Sequence, residues 1–488
     1  MATFARSHAG AGSSRLPITR ITLAILVAAA ACSSDVAPTR PVELTESRSI
    51  VPDNKFATHA AADSLRTLAA THGIGPLPVS PLVRQELVRL GQALLFDPIV
   101  SGNRNMTCMT CHLPAFATGD KRNLPIGEGG IGFGPLRFPG RGSVIPRNAP
   151  PMFNLATLNN LFLDGRVFKD SVGAIHTPAN DQITPAMTKV FEFGAVSAVG
   201  MFPVTNRLEM RGQIGRAQTD LAFGTNELAQ IPDSDFTGMW NALMARLGKI
   251  PEYRKMFEAA YPGTPFSSMT FAHASNAMGG FLLNQLTFNN SPWDHFLAGD
   301  DRALSAQQVV GGTTFMNNKC AACHSGPLFS DGKSRNVALA QFGPGEGNGP
   351  SGRDDFGHFN VTGLAADKYT FRTSPLRNVE LTGPYGHAGE FADLRSFVDH
   401  YSESDVKLAN YDIRQIDPSL RGTLLPTTAD ILSTRAAGLT GFVLTPEQID
   451  NLTAYLKSLT DPAARNLVHI TPLRVPSGLP VPIVFPIF

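Results

Sequence analysis

Apolar positions recur at helical spacing ahead of two short cysteine clusters. Leu82, Val83, Leu87, Leu90, Leu94 and Leu95 follow the rhythm of one helix face. Ser80-Pro81 offers a cap and a first-turn proline, so the pattern predicts a helix from there to Phe96-Asp97-Pro98. Ser305 caps a second helix that runs into the later cluster. Residues 236–289 are predicted helical, with Trp240, Leu243, Met244 and Leu247 on one face, and Phe271–Phe288 is closed by Asn289-Asn290-Ser291-Pro292. A last helix opens at Thr445-Pro446-Glu447 and carries Ile449, Leu452, Tyr455, Leu456 and Leu459. Glycine and proline dominate 119–151 and 343–357, which predicts long loops. Helix, cluster, loop and helix thus occur twice, in a mainly α chain.

The clusters are Cys108-Met109-Thr110-Cys111-His112 and Cys320-Ala321-Ala322-Cys323-His324. C-x-x-C-H is the attachment pattern of c-type haem. Two thiols one turn apart reach both vinyl groups, and the next histidine is placed to ligate iron. A zinc ribbon would set its knuckles roughly 15–20 residues apart, whereas these begin 212 apart. A redox dithiol gives no reason for a trailing histidine. The expectation is two cytochrome-c-like helical domains with long ordered loops and one covalent haem c each. The divisions are 1–32 signal, 33–75 tether and N-terminal extension, 76–235 first cytochrome domain, 236–300 helical connection, 301–465 second cytochrome domain and 466–488 tail.

Four of the five cysteines belong to the motifs. The fifth, Cys32, follows the apolar run 21–31, itself preceded by Arg6, Arg15 and Arg20. This reads as an export signal, too short to span a bilayer. Ala29-Ala30-Ala31-Cys32 resembles a bacterial lipobox with alanine in place of leucine, so Cys32 is the expected lipid anchor, with plain signal cleavage as the alternative. The expected location is the periplasm. In 488 residues, 43% hydrophobic and 17% charged, the net charge of +1 points to no nucleic-acid partner. Losing the three signal arginines takes it to −2.

Whether a haem carries electrons or does chemistry depends on its far-side ligand. All thirteen methionines lie at or before Met316, so none follows His324. A later ligand to the second haem would come from His358, His387, His400, Tyr385 or Tyr401, each more often a packed residue than a ligand.

Further motifs carry a resemblance. They are Leu95-Phe96-Asp97-Pro98, Arg147-Asn148-Ala149-Pro150, Phe162-Leu163-Asp164-Gly165-Arg166, Glu209-Met210, Ser291-Pro292-Trp293-Asp294, and the run from Ser374 through Arg377-Asn378 to Tyr385-Gly386-His387. From about Leu90 to Leu459 the chain resembles the bacterial di-haem cytochrome c peroxidases and their MauG-like relatives. The resemblance implies a peroxide-reactive first haem and a second haem that receives and stores electrons. It places Tyr401 at the second iron, as in MauG-like members, with His400 next. It puts Glu128 where many members carry a distal histidine, and makes Glu209 the pocket carboxylate that moves protons in O–O cleavage; otherwise Glu209 is a surface glutamate. It assigns calcium to oxygens of Asn148, Thr382 and Pro384. Two departures stand out. The inter-haem tryptophan falls on Leu163, and the pocket glutamine on Val199 after an insertion at about 167–198.

The resemblance implies hydrogen peroxide as substrate. The partner would be a small cytochrome c or copper-protein donor, or a protein substrate oxidised in MauG fashion; a homodimer is compatible with this. The competing reading is a non-catalytic, lipid-anchored di-haem electron-transfer cytochrome.

Overall fold

The computed structural model describes residues 55–214 and 226–482. The export signal, Cys32, the tether up to residue 54 and the tail from 483 lie outside the described residues. The chain is mainly α, with long loops at 119–151 and 343–357. No helix among the described residues is long and apolar enough to cross a membrane.

The two largest apolar cores among the described residues each form on a helix pair that crosses at a glycine. Gln85–Phe96 packs on Phe271–Gln285. A methyl group at Gly91 would lie 2.0 Å from the Ala277 carbonyl oxygen and 2.8 Å from Phe281 Cβ. Ala306–Asn317 packs on Pro446–Lys457. A methyl at Gly311 would lie 1.9 Å from the Asn451 carbonyl oxygen and 3.0 Å from Tyr455 Cβ. In both pairs a backbone carbonyl meets the glycine, with an aromatic residue one turn on. Gly91→Ala and Gly311→Ala should therefore each destabilise the fold by about 1–3 kcal/mol, the cost of overpacking. Denaturant unfolding measures this, and unchanged midpoints would mean that the helices part freely.

The chain ends cross between the cores. The helix His59–Thr71 buries Ala62, Leu65 and Ala69 in the second core, and Arg66 ties it to Asp301 at 2.5 Å. The sequence pattern missed this helix because its buried stripe is largely alanine. At the other end, Ala464, Leu467, Ile470 and Val475 enter the first core. There Asp97 of the Phe96-Asp97-Pro98 motif, fully buried, accepts hydrogen bonds from Tyr253 Oη (2.8 Å), Ser477 Oγ (2.5 Å) and the Ile99 amide (2.9 Å).

Three boundaries differ from the pattern. The first helix starts at Gln85 with Arg84 at its N-cap. Ser80 instead donates to Thr287 Oγ1 at 3.1 Å, and Leu82 is fully exposed. The Phe271 helix stops at Gln285 because Asn154 takes over, its amide donating to the Leu286 carbonyl and its Oδ1 accepting from the Phe288 amide. Ser291-Pro292 opens a helix, Pro292–Leu297, through a capping box with Asp294. Of the stretch 236–300, expected to be a connection, Trp240, Phe257 and Phe281 complete the first core, and Trp293 belongs to the second.

Strand is sparse. Asn160–Leu161, Val167–Lys169 and Ile175–His176 form an antiparallel sheet that joins the insertion to the segment before it, and Ser334–Arg335 pairs with Phe371–Arg372.

Candidate active site

Both C-x-x-C-H segments fold into a single helical turn, with the histidine amide donating to the first cysteine's carbonyl: His112 to Cys108 (3.2 Å) and His324 to Cys320 (2.9 Å). The chain then doubles back, and His112 Nδ1 meets the Thr118 carbonyl at 3.0 Å while His324 Nδ1 meets the Phe329 carbonyl at 2.9 Å. Thr118 and Phe329 both have positive φ, which turns their carbonyls toward the rings. A carbonyl can only accept, so Nδ1 carries the proton and Nε2 keeps a lone pair for a metal. This is the arrangement an iron-ligating histidine needs.

The thiols agree with thioether attachment. Burial pushes the Cys108 and Cys320 thiols up to about 12, and it also raises Cys111 and Cys323. A redox nucleophile requires the opposite shift, whereas a thioether carries no charge to bury. Among the described residues, the one cluster of three potential metal-ligating His, Cys, Asp or Glu groups is the surface set His59, Asp63 and Asp301, which includes no residue of either motif. The donor set therefore fits two covalent haems.

Glu209 sits in a π-helical turn, Arg207–Arg211, capped by Asn206 Oδ1. Gly127 presses against this turn so closely that a methyl there would be 1.8 Å from the Leu208 carbonyl oxygen. The next amide, Glu128 N–H, donates to the carbonyls of Leu208 (3.1 Å) and Glu209 (3.0 Å). Glu209 lines a cleft of about 1480 Å³ that it shares with Arg147, Arg166, Glu346 and His358. Desolvation pushes its carboxyl up, against the pull of Arg166 and Arg147. It also lies near enough to Cys108 and Cys111 to raise their thiols. Glu128 is 8% exposed and does not line this cleft; its Oε1 accepts from Asn103 Nδ2 (2.6 Å) and Asn105 Nδ2 (2.9 Å). The backbone of Glu128 therefore positions Glu209, and its carboxylate is held by the segment before the first motif.

Most candidate ligands to the second haem are engaged elsewhere. His358 Nδ1 meets the Asp164 carbonyl (2.6 Å), and Tyr385 Oη donates to the Val379 carbonyl (3.0 Å). His387 is 2.5 Å from Glu390 and 3.2 Å from Gln341 Nε2. His400 Nε2 donates to the Val337 carbonyl at 2.8 Å. Tyr401, the residue just after the helix Leu394–His400, is the candidate whose hydroxyl feels Cys320 and Cys323. Burial and those two thiols raise its pKa.

Asn148 Nδ2 donates to the carbonyls of Arg122 (2.8 Å) and Asn123 (3.0 Å), leaving Oδ1 free. The Thr382 and Pro384 carbonyls accept no hydrogen bond among the described residues. These oxygens suit calcium, yet Lys121 Nζ occupies the alternate carbonyls of Leu381 (2.6 Å) and Gly383 (3.3 Å), bringing a positive charge beside them.

Sequence reasoning missed the partners of Arg147. It holds Asp355 through Nε (2.6 Å) and Nη2 (2.8 Å) and Asp164 through Nη1 (2.5 Å), joining the two halves of the chain under the cleft. Sequence signals existed in Arg147-Asn148-Ala149-Pro150 and Asp164-Gly165-Arg166, but nothing local pointed to Asp355. Asp120 was also missed. It is 1% exposed and near Cys111, one carboxyl oxygen has no partner, and burial lifts it to about 7. Leu163 and Val199 are both partly buried, and Val199 packs on the first core.

A family profile described as di-haem cytochrome c peroxidase matches residues 85–302. The cytochrome c551 peroxidase of Pseudomonas aeruginosa is 32% identical over 356 residues, covering 70% of this chain and 81% of that protein. The chain belongs to the di-haem cytochrome c peroxidase family. As a member it is a haem-dependent oxidoreductase of the peroxidase type. The methylamine utilization protein MauG of Methylorubrum extorquens is 25% identical over 333 residues, covering 68% of this peroxidase and 73% of MauG. A solved MauG-like protein associated with microbial copper homeostasis shares the fold, with TM-score 0.54, 23% identity and coverage of 80% and 94%. The di-haem peroxidase BthA of Burkholderia thailandensis does so at TM-score 0.51, 19% identity and coverage of 79% and 88%.

Proposed function

We propose that this peroxidase reduces hydrogen peroxide at a haem held by Cys108, Cys111 and His112, with a second haem on Cys320, Cys323 and His324 handling electrons. The observation that carries this reading is the repeated histidine geometry, an Nδ1 fixed on a backbone carbonyl beside two partly buried cysteines. When bound, the two haems supply the reducing equivalents that break the O–O bond. The protein's own part is proton handling. The Glu209 carboxylate takes the proton from the peroxide oxygen nearer the first haem and returns it to the far oxygen, which leaves as water. The Arg147, Asp164 and Asp355 network below the cleft holds the wall in place.

Tyr401 is proposed to hold the second haem together with His324, supported by its closeness to Cys320 and Cys323 and by the engagement of His400 with Val337. A phenolate there favours oxidised iron, which suits storing an oxidising equivalent and passing it to a partner protein in MauG fashion. Reduction of peroxide with electrons from a small cytochrome c or copper protein is the simpler form of the same chemistry. Calcium at Asn148, Thr382 and Pro384, and a periplasmic setting with lipid on Cys32, complete the proposal.

Electron paramagnetic resonance of the ferric protein tests it. One high-spin and one low-spin haem are expected, with Tyr401→Phe removing the low-spin signal or replacing it with a histidine-type one. Two low-spin haems and no reaction with peroxide would instead identify a plain electron-transfer cytochrome.

A further inference from the structure

Among the described residues, the buried arginines are matched by acceptors, with one exception. Arg147 holds Asp355 and Asp164, Arg377 holds Asp294 at 2.8 Å, and Arg246 holds Glu227 at 2.8 Å. Arg137 lacks a carboxylate but donates Nε and both terminal nitrogens to the carbonyls of Ile126, Gly132 and Gly127. Arg372 is 7% exposed, and its one side-chain hydrogen bond runs from Nε to the Phe162 carbonyl at 3.2 Å. Its Nη1 is buried without any partner, and no carboxylate lies within ion-pair distance among the described residues. A guanidinium does not shed its proton near neutral pH, and an unpaired buried charge is strongly unfavourable. Arg372 is therefore built to face an anion.

Its place in the fold says which anion. Arg372 ends the strand that pairs with Ser334–Arg335. Its amide donates to the Leu163 carbonyl at 2.8 Å. The next residue, Thr373, is tied to the chain after the second motif: its amide donates to the Lys333 carbonyl (2.9 Å) and its carbonyl accepts from Ser330 Oγ, one residue past the Phe329 carbonyl that meets His324. The guanidinium thus springs from a strand held between the Phe162–Leu163 segment and residues 330–335, which follow the second motif. The anions that a haem brings to such a position are its two propionate carboxylates. We propose, building on the di-haem reading above, that Arg372 binds a propionate of the haem attached at His324 through its unpartnered Nη1, and so sets that haem's reduction potential. A planar fork is the natural receptor for a carboxylate.

The test uses the haem-loaded protein and its Arg372→Gln and Arg372→Lys variants, with intact mass giving the haem count. Resonance Raman of the propionate bending band and spectroelectrochemical titration of both haems are the readouts. Arg372→Gln should shift the propionate band of the second haem and lower that haem's midpoint potential, because removing a cation favours the more positive ferric state. Arg372→Lys should keep the potential near the parent value while still shifting the band. If Arg372→Gln carries two haems with band and potentials unmoved, or if only the first haem moves, the proposal is overturned. If Arg372→Gln does not load haem, the Lys variant decides, and an unshifted band overturns the assignment. Fewer than two haems on the parent protein would overturn the di-haem reading instead, which keeps the two failures distinguishable.

Discussion

Replacing Cys108 and Cys111 with alanine is expected to abolish the reaction with hydrogen peroxide while leaving one covalent haem in place. The two cysteines are partly buried and pack against the first core, and His112, beside them in the chain, keeps its Nε2 free. Without both thioethers, a lone imidazole has to retain the cofactor. The second site, with its own turn on Cys320 and its own core, does not depend on the first motif. Intact mass should fall by one haem unit, with peroxide turnover at background. The matching Cys320→Ala, Cys323→Ala variant should also lose one unit but keep a first haem that still binds peroxide-like ligands. A double variant at Cys108 and Cys111 that retains two haem units, or full turnover, would contradict the assignment of the first site.

Glu209→Gln is expected to lower kcat/KM for peroxide by about 10²–10⁴-fold, the usual contribution of a positioned acid–base group. The amide keeps the volume but cannot take and return a proton. Desolvation raises Glu209 above the ordinary glutamate value of about 4.3. A carboxyl with a raised pKa stays protonated to higher pH, so a base of this kind is lost as pH falls through that raised value. The parent enzyme's kcat/KM should therefore decline on the acid side at a pH above the ordinary glutamate range, and Glu209→Gln should show no such limb. Glu128→Gln keeps the backbone contacts to Leu208 and Glu209, so its effect should be much smaller. Equal losses at both positions, or an acid limb that survives in Glu209→Gln, would show that Glu209 is not the proton carrier.

The amino-acid sequence by itself determined the two attachment turns, the capped helices that precede or follow them, and the loop-rich mainly α character. Those features are local. A cysteine pair one turn apart, a histidine beside it, Ser305 with Gln308 or Thr445 with Gln448 each act within a few residues, so spacing alone specifies them. Family likeness, carried by motifs such as Asp97-Pro98 and Arg377-Asn378, was legible for the same reason. Only the tertiary structure decided which side chains converge. Tyr401 was placed ahead of its neighbour His400 by the resemblance alone, and the hydrogen bond from His400 to a carbonyl 63 residues earlier is a feature only the fold supplies. Glu128 and Glu209 were both expected at the first haem, and the fold turns one carboxylate onto Asn103 and Asn105 and the other into the cleft. The crossing of the chain ends, the junction of Arg147 with Asp355, and the unpaired Arg372 beside Leu163 join residues far apart in the chain. Burial and pairing are properties of the assembled core, and no local periodicity encodes them.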